Sequence, residues 1–88
     1  MADILLEIIS PDRMVLSCRV DCVFLPGVVG EFEVLRNHAP LITSLSPGKI
    51  KYRQDGKESS QEVLSGFAMV MDNKVSVCAE VPKQSSSN

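Results

Sequence analysis

The chain has one histidine, three cysteines and no surplus of basic residues among its 88 positions. Each shortage excludes something. Hydrolytic triads bring together a nucleophile, an imidazole base and an orienting carboxylate, and a single histidine leaves little to build one from. His38 stands in Asn37-His38-Ala39-Pro40, a loop sequence, and reads as a packing or partner-contact residue. The Gly-x-Ser-x-Gly elbow is absent, and Gly27 and Gly30 lead into a strand pattern rather than a phosphate-cradling helix. Nine lysines and arginines against eleven acidic residues give a net charge of −2, without the basic stripe of a nucleic-acid binder. The expectation is a non-catalytic protein with no cofactor, no metal and no nucleic-acid partner.

Long apolar runs are also lacking. Ile4-Leu5-Leu6 is typical of them, far short of the ~20 residues needed to span a bilayer. The opening Met1-Ala2-Asp3 has neither the basic region nor the apolar stretch of a signal peptide. The expected setting is the cytosol, with docking on something membrane-bound left open. An odd cysteine count excludes a closed disulfide framework. Cys18 and Cys22 on one strand would share a face but lie about 13 Å apart, too far for a disulfide or a shared zinc ion. They read as small buried hydrophobes in a reducing compartment.

What is present is a period of two. Met14, Leu16, Cys18, Val20, Cys22 and Phe24 are apolar, with polar Ser17, Arg19 and Asp21 between them, which predicts one long half-buried strand. Phe32 and Val34 alternate with Glu31 and Glu33. Ile50 and Tyr52 alternate with Lys49, Lys51 and Arg53. Phe67, Met69 and Met71 share one face, as do Val75, Val77 and Ala79. Turn chemistry separates these runs at Pro11-Asp12, Pro26-Gly27, Pro47-Gly48, Asp55-Gly56 and Asp72-Asn73. Asp55-Gly56 is the clearest hairpin signal, joining strands over 49–53 and 58–64. No window shows a capped 3.6-residue stripe.

The predicted fold is therefore all-β, an antiparallel β-sandwich of about ten short strands in two sheets. Residues 1–81 form the single domain, and residues 82–88, Pro-Lys-Gln-Ser-Ser-Ser-Asn, are expected to be a frayed, flexible tail. Glu31 and Glu33 point the same way from their strand and read as a solvated face, or as an acidic patch for a basic partner.

The order of loops carries more. Gly30-Glu31-Phe32-Glu33 leads through His38-Ala39-Pro40 to an apolar strand ending in Pro47-Gly48, and Leu64-Ser65-Gly66-Phe67 opens another. The set resembles the epsilon subunit of bacterial and chloroplast F-type ATP synthases, over residues 3–81 and in order. Two positions depart from the family pattern. Arg36-Asn37 stands where the family often has Pro-Gly, although Asn also accepts a left-handed φ, and Phe67 replaces the second glycine of Leu-Ser-Gly-Gly.

The resemblance implies a rotor component at the foot of the central stalk. It implies binding to the gamma subunit through Ser10, His38, Thr43 and Ser65, and to the c-ring through Glu31. It also implies a peripheral position on the cytoplasmic side of the bacterial inner membrane and a part in coupling proton-driven rotation to ATP synthesis. Family members carry a carboxy-terminal helix pair that inhibits ATP hydrolysis. The chain ends at Asn88 in a serine-rich stretch, so that inhibitory role is not expected of it. The alternative is a carrier or ligand-binding β-domain. Ala68-Met69-Val70-Met71 has a carrier's methionines, but Val70 stands where the modified lysine belongs.

Overall fold

In the computed structural model, residues 3–82 are described, and they form nine strands. These are β1 (Ile4–Ser10), β2 (Arg13–Val20), β3 (Cys22–Gly27), β4 (Gly30–Val34), β5 (Leu41–Leu45), β6 (Gly48–Gln54), β7 (Lys57–Val63), β8 (Ser65–Met71) and β9 (Lys74–Glu80). The hydrogen-bonded order is β2-β1-β9-β8-β5-β3-β6-β7, with β4 also on β3. A single residue pair, Gly27 with Leu45, joins β5 to β3. The path is thus two sheets, β2-β1-β9-β8-β5 and β4-β3-β6-β7, stitched at that corner.

The sheets bury their inner faces against each other. Ile4, Leu6, Ile8, Ala68, Val70, Val75, Val77 and Ala79 of the first sheet join Val23, Leu25, Val34, Ile50 and Val63 of the second in one core. β-Branched residues dominate it, as suits pleated surfaces packed about 10 Å apart. The expected sandwich is present, with nine strands rather than about ten. One pairing departs from the antiparallel expectation: β1 and β9 run parallel, Leu5 opposite Lys74 through Ile9 opposite Cys78. Parallel neighbours need a long connection between them. Here almost the whole domain separates the two strands.

The long strand predicted over residues 14–24 is broken at Asp21. β2 pairs with β1 in the first sheet, whereas β3 pairs with β4 and β6 in the second, so the chain crosses between sheets at that residue. The Asp21 N–H donates to the Arg53 carbonyl at 2.8 Å, and the Gln54 amide donates to the Arg19 carbonyl at 2.9 Å, which holds the corner. The burial phase changes there too: Val20 and Cys22 are buried, then Val23 and Leu25. A second phase change lies in β2. Ile8 faces Leu16 but Ile9 faces Met14, so Val15 is an extra residue in a bulge and Met14 turns outward.

The hairpin signals hold at Asp55-Gly56, with φ of 51° and 79°, and at Asp72-Asn73, with φ of 52° and 61°. Pro26-Gly27 is not a turn. Both residues lie in β3, and the reversal falls one step later, at Val28-Val29. The tail expected over residues 82–88 lies, apart from Pro82, outside the described residues.

Candidate docking site

The outer faces of the two sheets differ in kind. On β4-β3-β6-β7 the outer face is charged and internally matched. Lys49 lies opposite Glu62, Arg53 opposite Glu58, and the Lys51 ammonium stands 3.5 Å from the Glu31 carboxylate. Water solvates such a face at little cost.

The outer face of β1-β9-β8-β5 is apolar. Ile42 lies opposite Met69, Phe67 opposite Cys78, Cys78 opposite Ile9, and Ile9 opposite Met14. All are exposed, Ile42 at 71% and Phe67 at 51%. A contiguous apolar patch of this kind marks an interaction surface. Its polar members are small or paired: Ser44 stands opposite Phe67, Ser76 opposite Met69, and Glu7 is paired with Lys74 at 3.4 Å. At the end where β1 and β9 finish, the patch deepens into an open groove of about 480 Å³ between Ile9, Phe67 and Cys78.

Of the contacts that the resemblance implies, Ser10 and Ser65 lie at this groove and none lies on the apolar row itself. The period of two puts Phe67, Met69 and Met71 on one face without showing that face to be the solvent side. The signal was available, since Phe67-Ala68-Met69-Val70-Met71 is apolar in both phases, more than one buried face requires. Ala68 and Val70 fill the core, and the alternate residues are left outside.

The five residues expected to make contacts are not one cluster. Ser10 and Ser65 meet at the groove, from the end of β1 and the start of β8. Ser10 is nearly buried, and its hydroxyl lies 2.8 Å from Asp12 Oδ1 and 3.2 Å from the Arg13 carbonyl oxygen. That hydroxyl is the main reason the Asp12 carboxyl titrates below its ordinary range, with its own backbone N–H and Arg13 adding to the effect against a small opposing cost of burial. Thr43, opposite Ala68 in β5, is half-buried, with its hydroxyl 3.2 Å from the Ser44 carbonyl oxygen.

His38 lies in the loop beyond the far end of β4. Its ring is 6.5 Å from that of Phe32, its backbone N–H donates to the Leu35 carbonyl at 3.1 Å, and Nδ1 is 2.8 Å from the Ala39 carbonyl oxygen. Glu31 is near the β3–β4 tip, on the charged sheet. Cys18 and Cys22 are turned inward, and burial pushes both thiols up in pKa. As to the carrier alternative, Val70 is a core residue and Lys74 is held by Glu7. Among the described residues no helix is long and apolar enough to cross a membrane.

The family model for the ATP synthase delta/epsilon chain β-sandwich domain matches residues 3–83. The chain belongs to that family. The ATP synthase epsilon chain of Nitratidesulfovibrio vulgaris (strain Miyazaki F) is 51% identical over 75 residues, 85% of this chain and 56% of that relative. The epsilon chain of Lawsonia intracellularis is 47% identical over 81 residues, 92% of this chain and 61% of that one. The chain thus spans a little over half the length of these curated relatives.

Among solved structures, a chain of the Euglena gracilis mitochondrial ATP synthase (OSCP/F1/c-ring) superposes with a TM-score of 0.83 and 27% identity, over 90% of this chain and 51% of that one. One from the central stalk and c-ring of the Tetrahymena thermophila mitochondrial enzyme gives 0.73 at 13% identity, over 89% of this chain and 63% of the other. At that identity the second likeness shows the fold.

Both departures from the delta/epsilon pattern have physical explanations. Asn37 occupies the left-handed region at φ 65°, as the turn demands, and its backbone N–H donates to Asn73 Oδ1 at 2.6 Å. At the Leu-Ser-Gly-Gly position, a Cβ on Gly66 would overlap the Cys78 carbonyl and Ala79 Cα. The first glycine therefore serves a close strand approach, while the second position points outward and accommodates Phe67.

Proposed function

We infer that this chain is the β-sandwich part of an ATP synthase epsilon subunit working as a non-catalytic rotor component. It docks on the gamma subunit through the apolar outer face of β9-β8-β5 and meets the c-ring through the end of the domain that carries Glu31. In this role it helps transmit proton-driven rotation to ATP synthesis, as a peripheral protein on the cytoplasmic side of the bacterial inner membrane. The observation that carries the reading is the exposed row Ile42, Met69, Phe67, Cys78 and Ile9. A torque-bearing interface needs buried apolar anchors with a polar rim. This row supplies the anchors, and Ser10, Ser65 and Glu80 border its groove. His38 belongs to the reading as a contact from the loop beyond β4, and Thr43, which shares the phase of core residue Ala68, as one reached from the open edge of β5 rather than through the apolar face. The relatives are ATP synthase epsilon chains, and the Euglena gracilis chain is part of an ATP synthase, which supports the assignment.

The test is titration calorimetry of this chain against the gamma subunit of the same organism. One-to-one binding is expected. Phe67→Glu, which sets a charge in the middle of the apolar row, is expected to weaken it by about a hundredfold or more. His38→Ala is expected to weaken it less, and Glu62→Ala, on the charged face, not at all. No heat of binding with both proteins folded refutes the docking reading.

A further inference from the structure

The loop of residues 35–40 carries the chain from β4 in the second sheet to β5 in the first, and none of its residues is buried. No apolar anchor fixes its path, and a loop held only at its two ends opens easily. It has a clasp instead. The Asn37 backbone N–H donates to Asn73 Oδ1 at 2.6 Å, and Asn73 Nδ2 donates to Asn37 Oδ1 at 3.3 Å. The backbone N–H can only donate, which fixes the way the Asn73 amide faces and turns its Nδ2 to Asn37. Both residues sit in the left-handed region, Asn37 at φ 65° and Asn73 at φ 61°. Glycine would meet that backbone demand with less strain, so the side-chain amides are what asparagine adds.

The post to which the loop is tied is itself held. Asn73 lies in the two-residue turn between β8 and β9, and its carbonyl accepts from the Leu5 N–H of β1 at 3.0 Å. A second tie, Arg36 to Asp3 at 3.2 Å, is an exposed ion pair that salt screens. The clasped Asn37 immediately precedes His38, whose backbone N–H closes a turn onto the Leu35 carbonyl and whose ring lies beside Phe32 of β4.

We propose that Asn73 is a positioning residue for docking: through Asn37 it holds the β4–β5 loop so that His38 is presented to the gamma subunit in one orientation. This rests on the rotor reading above, in which His38 is a contact. Asn73 acts without touching gamma. Its contribution is to order the loop before binding, so that less conformational freedom is lost when the complex forms.

The experiment is calorimetry of the whole chain against gamma of the same organism, in a double-mutant cycle of Asn73→Gly with His38→Ala. Glycine suits the φ at position 73, so this variant removes the amide without straining the turn. Asn73→Gly alone is expected to weaken gamma binding roughly three- to tenfold, but by less than about twofold in the His38→Ala background. Asn37→Gly keeps the backbone N–H and the shorter bond, and is expected to lose less than Asn73→Gly. Hydrogen exchange gives a second readout: the Asn37 N–H is expected to exchange faster in Asn73→Gly, while the amides of β1, β8 and β9 keep their protection. Equal losses in both backgrounds overturn the proposal, since a purely structural role does not depend on His38. So does full-strength binding by Asn73→Gly, or unchanged exchange at Asn37. Full-strength binding by His38→Ala also overturns it and leaves docking through the apolar face standing. Failure of the unsubstituted chain to bind gamma sinks the rotor reading and this proposal with it.

Discussion

Gly66→Ala tests the tightest contact in the domain. Gly66 pairs with Leu45 on one side and Ala79 on the other, so β8 is held between two strands at this point. An added Cβ would lie 2.6 Å from Ala79 Cα and 2.7 Å from Ala79 Cβ, and would overlap the Cys78 carbonyl oxygen. Because the obstruction is mostly backbone, no rotamer change relieves it, and β8 must separate from β9. Overpacking of this kind costs about 1–3 kcal/mol, and weakening a ladder hydrogen bond adds roughly 1 kcal/mol. Against that, alanine stiffens the unfolded chain, favouring folding by about 0.4–1 kcal/mol.

The net expectation is a loss of about 1–3.5 kcal/mol, which lowers the melting temperature by roughly 4–28 °C in a domain of this size. The assay is urea unfolding followed by far-ultraviolet circular dichroism, with Phe67→Ala as the neighbour control. Phe67 points to solvent, so its truncation should cost under about 1 kcal/mol, with an unchanged denaturant slope in both variants. A Gly66→Ala midpoint no lower than that of Phe67→Ala refutes the steric argument.

Two further predictions rest on titration and thiol chemistry. The folded-state pKa of Asp12 lies below its ordinary 3.8, chiefly through the Ser10 hydroxyl, so the stabilisation is present above the unfolded value and is lost as pH falls through the folded one. In Ser10→Ala the Asp12 carboxyl should titrate at higher pH when followed by carboxyl NMR. An identical titration in both proteins refutes the coupling. Cys78 is exposed, whereas burial raises the thiol pKa of Cys18 and Cys22, so an alkylating reagent should modify Cys78 first, as read by peptide mass spectrometry. Equal rates at all three thiols contradict the packing.

Much of the architecture was legible in the residues. Period-two alternation marked the strands, and Asp55-Gly56 and Asp72-Asn73 marked two hairpins, because left-handed φ values admit few residue types. Less legible were the places where alternation changes phase. Asp21 looks like one more polar position in a long strand, and only the pairing of β2 with β1 and of β3 with β6 shows it to be a corner. The bulge at Val15 is equally silent, since Val15 is as apolar as its neighbours. The candidate contacts fared unevenly for a similar reason. Ser10 and Ser65 lie 55 positions apart in sequence, and only the parallel pairing of β1 with β9, which in turn pairs with β8, brings them to one groove.

The amino-acid order alone determined the class of fold, the polar turns and the family, because these depend on local conformational preference and on residues taken in sequence. Tertiary structure decided which apolar face is covered. In Phe67-Ala68-Met69-Val70-Met71 both phases are apolar, and period two cannot say which one faces the core. The second sheet packs against Ala68 and Val70, leaving Phe67, Met69 and Met71 in water. That choice turns a strand pattern into a docking surface, and it is made by the sheet on the other side of the core.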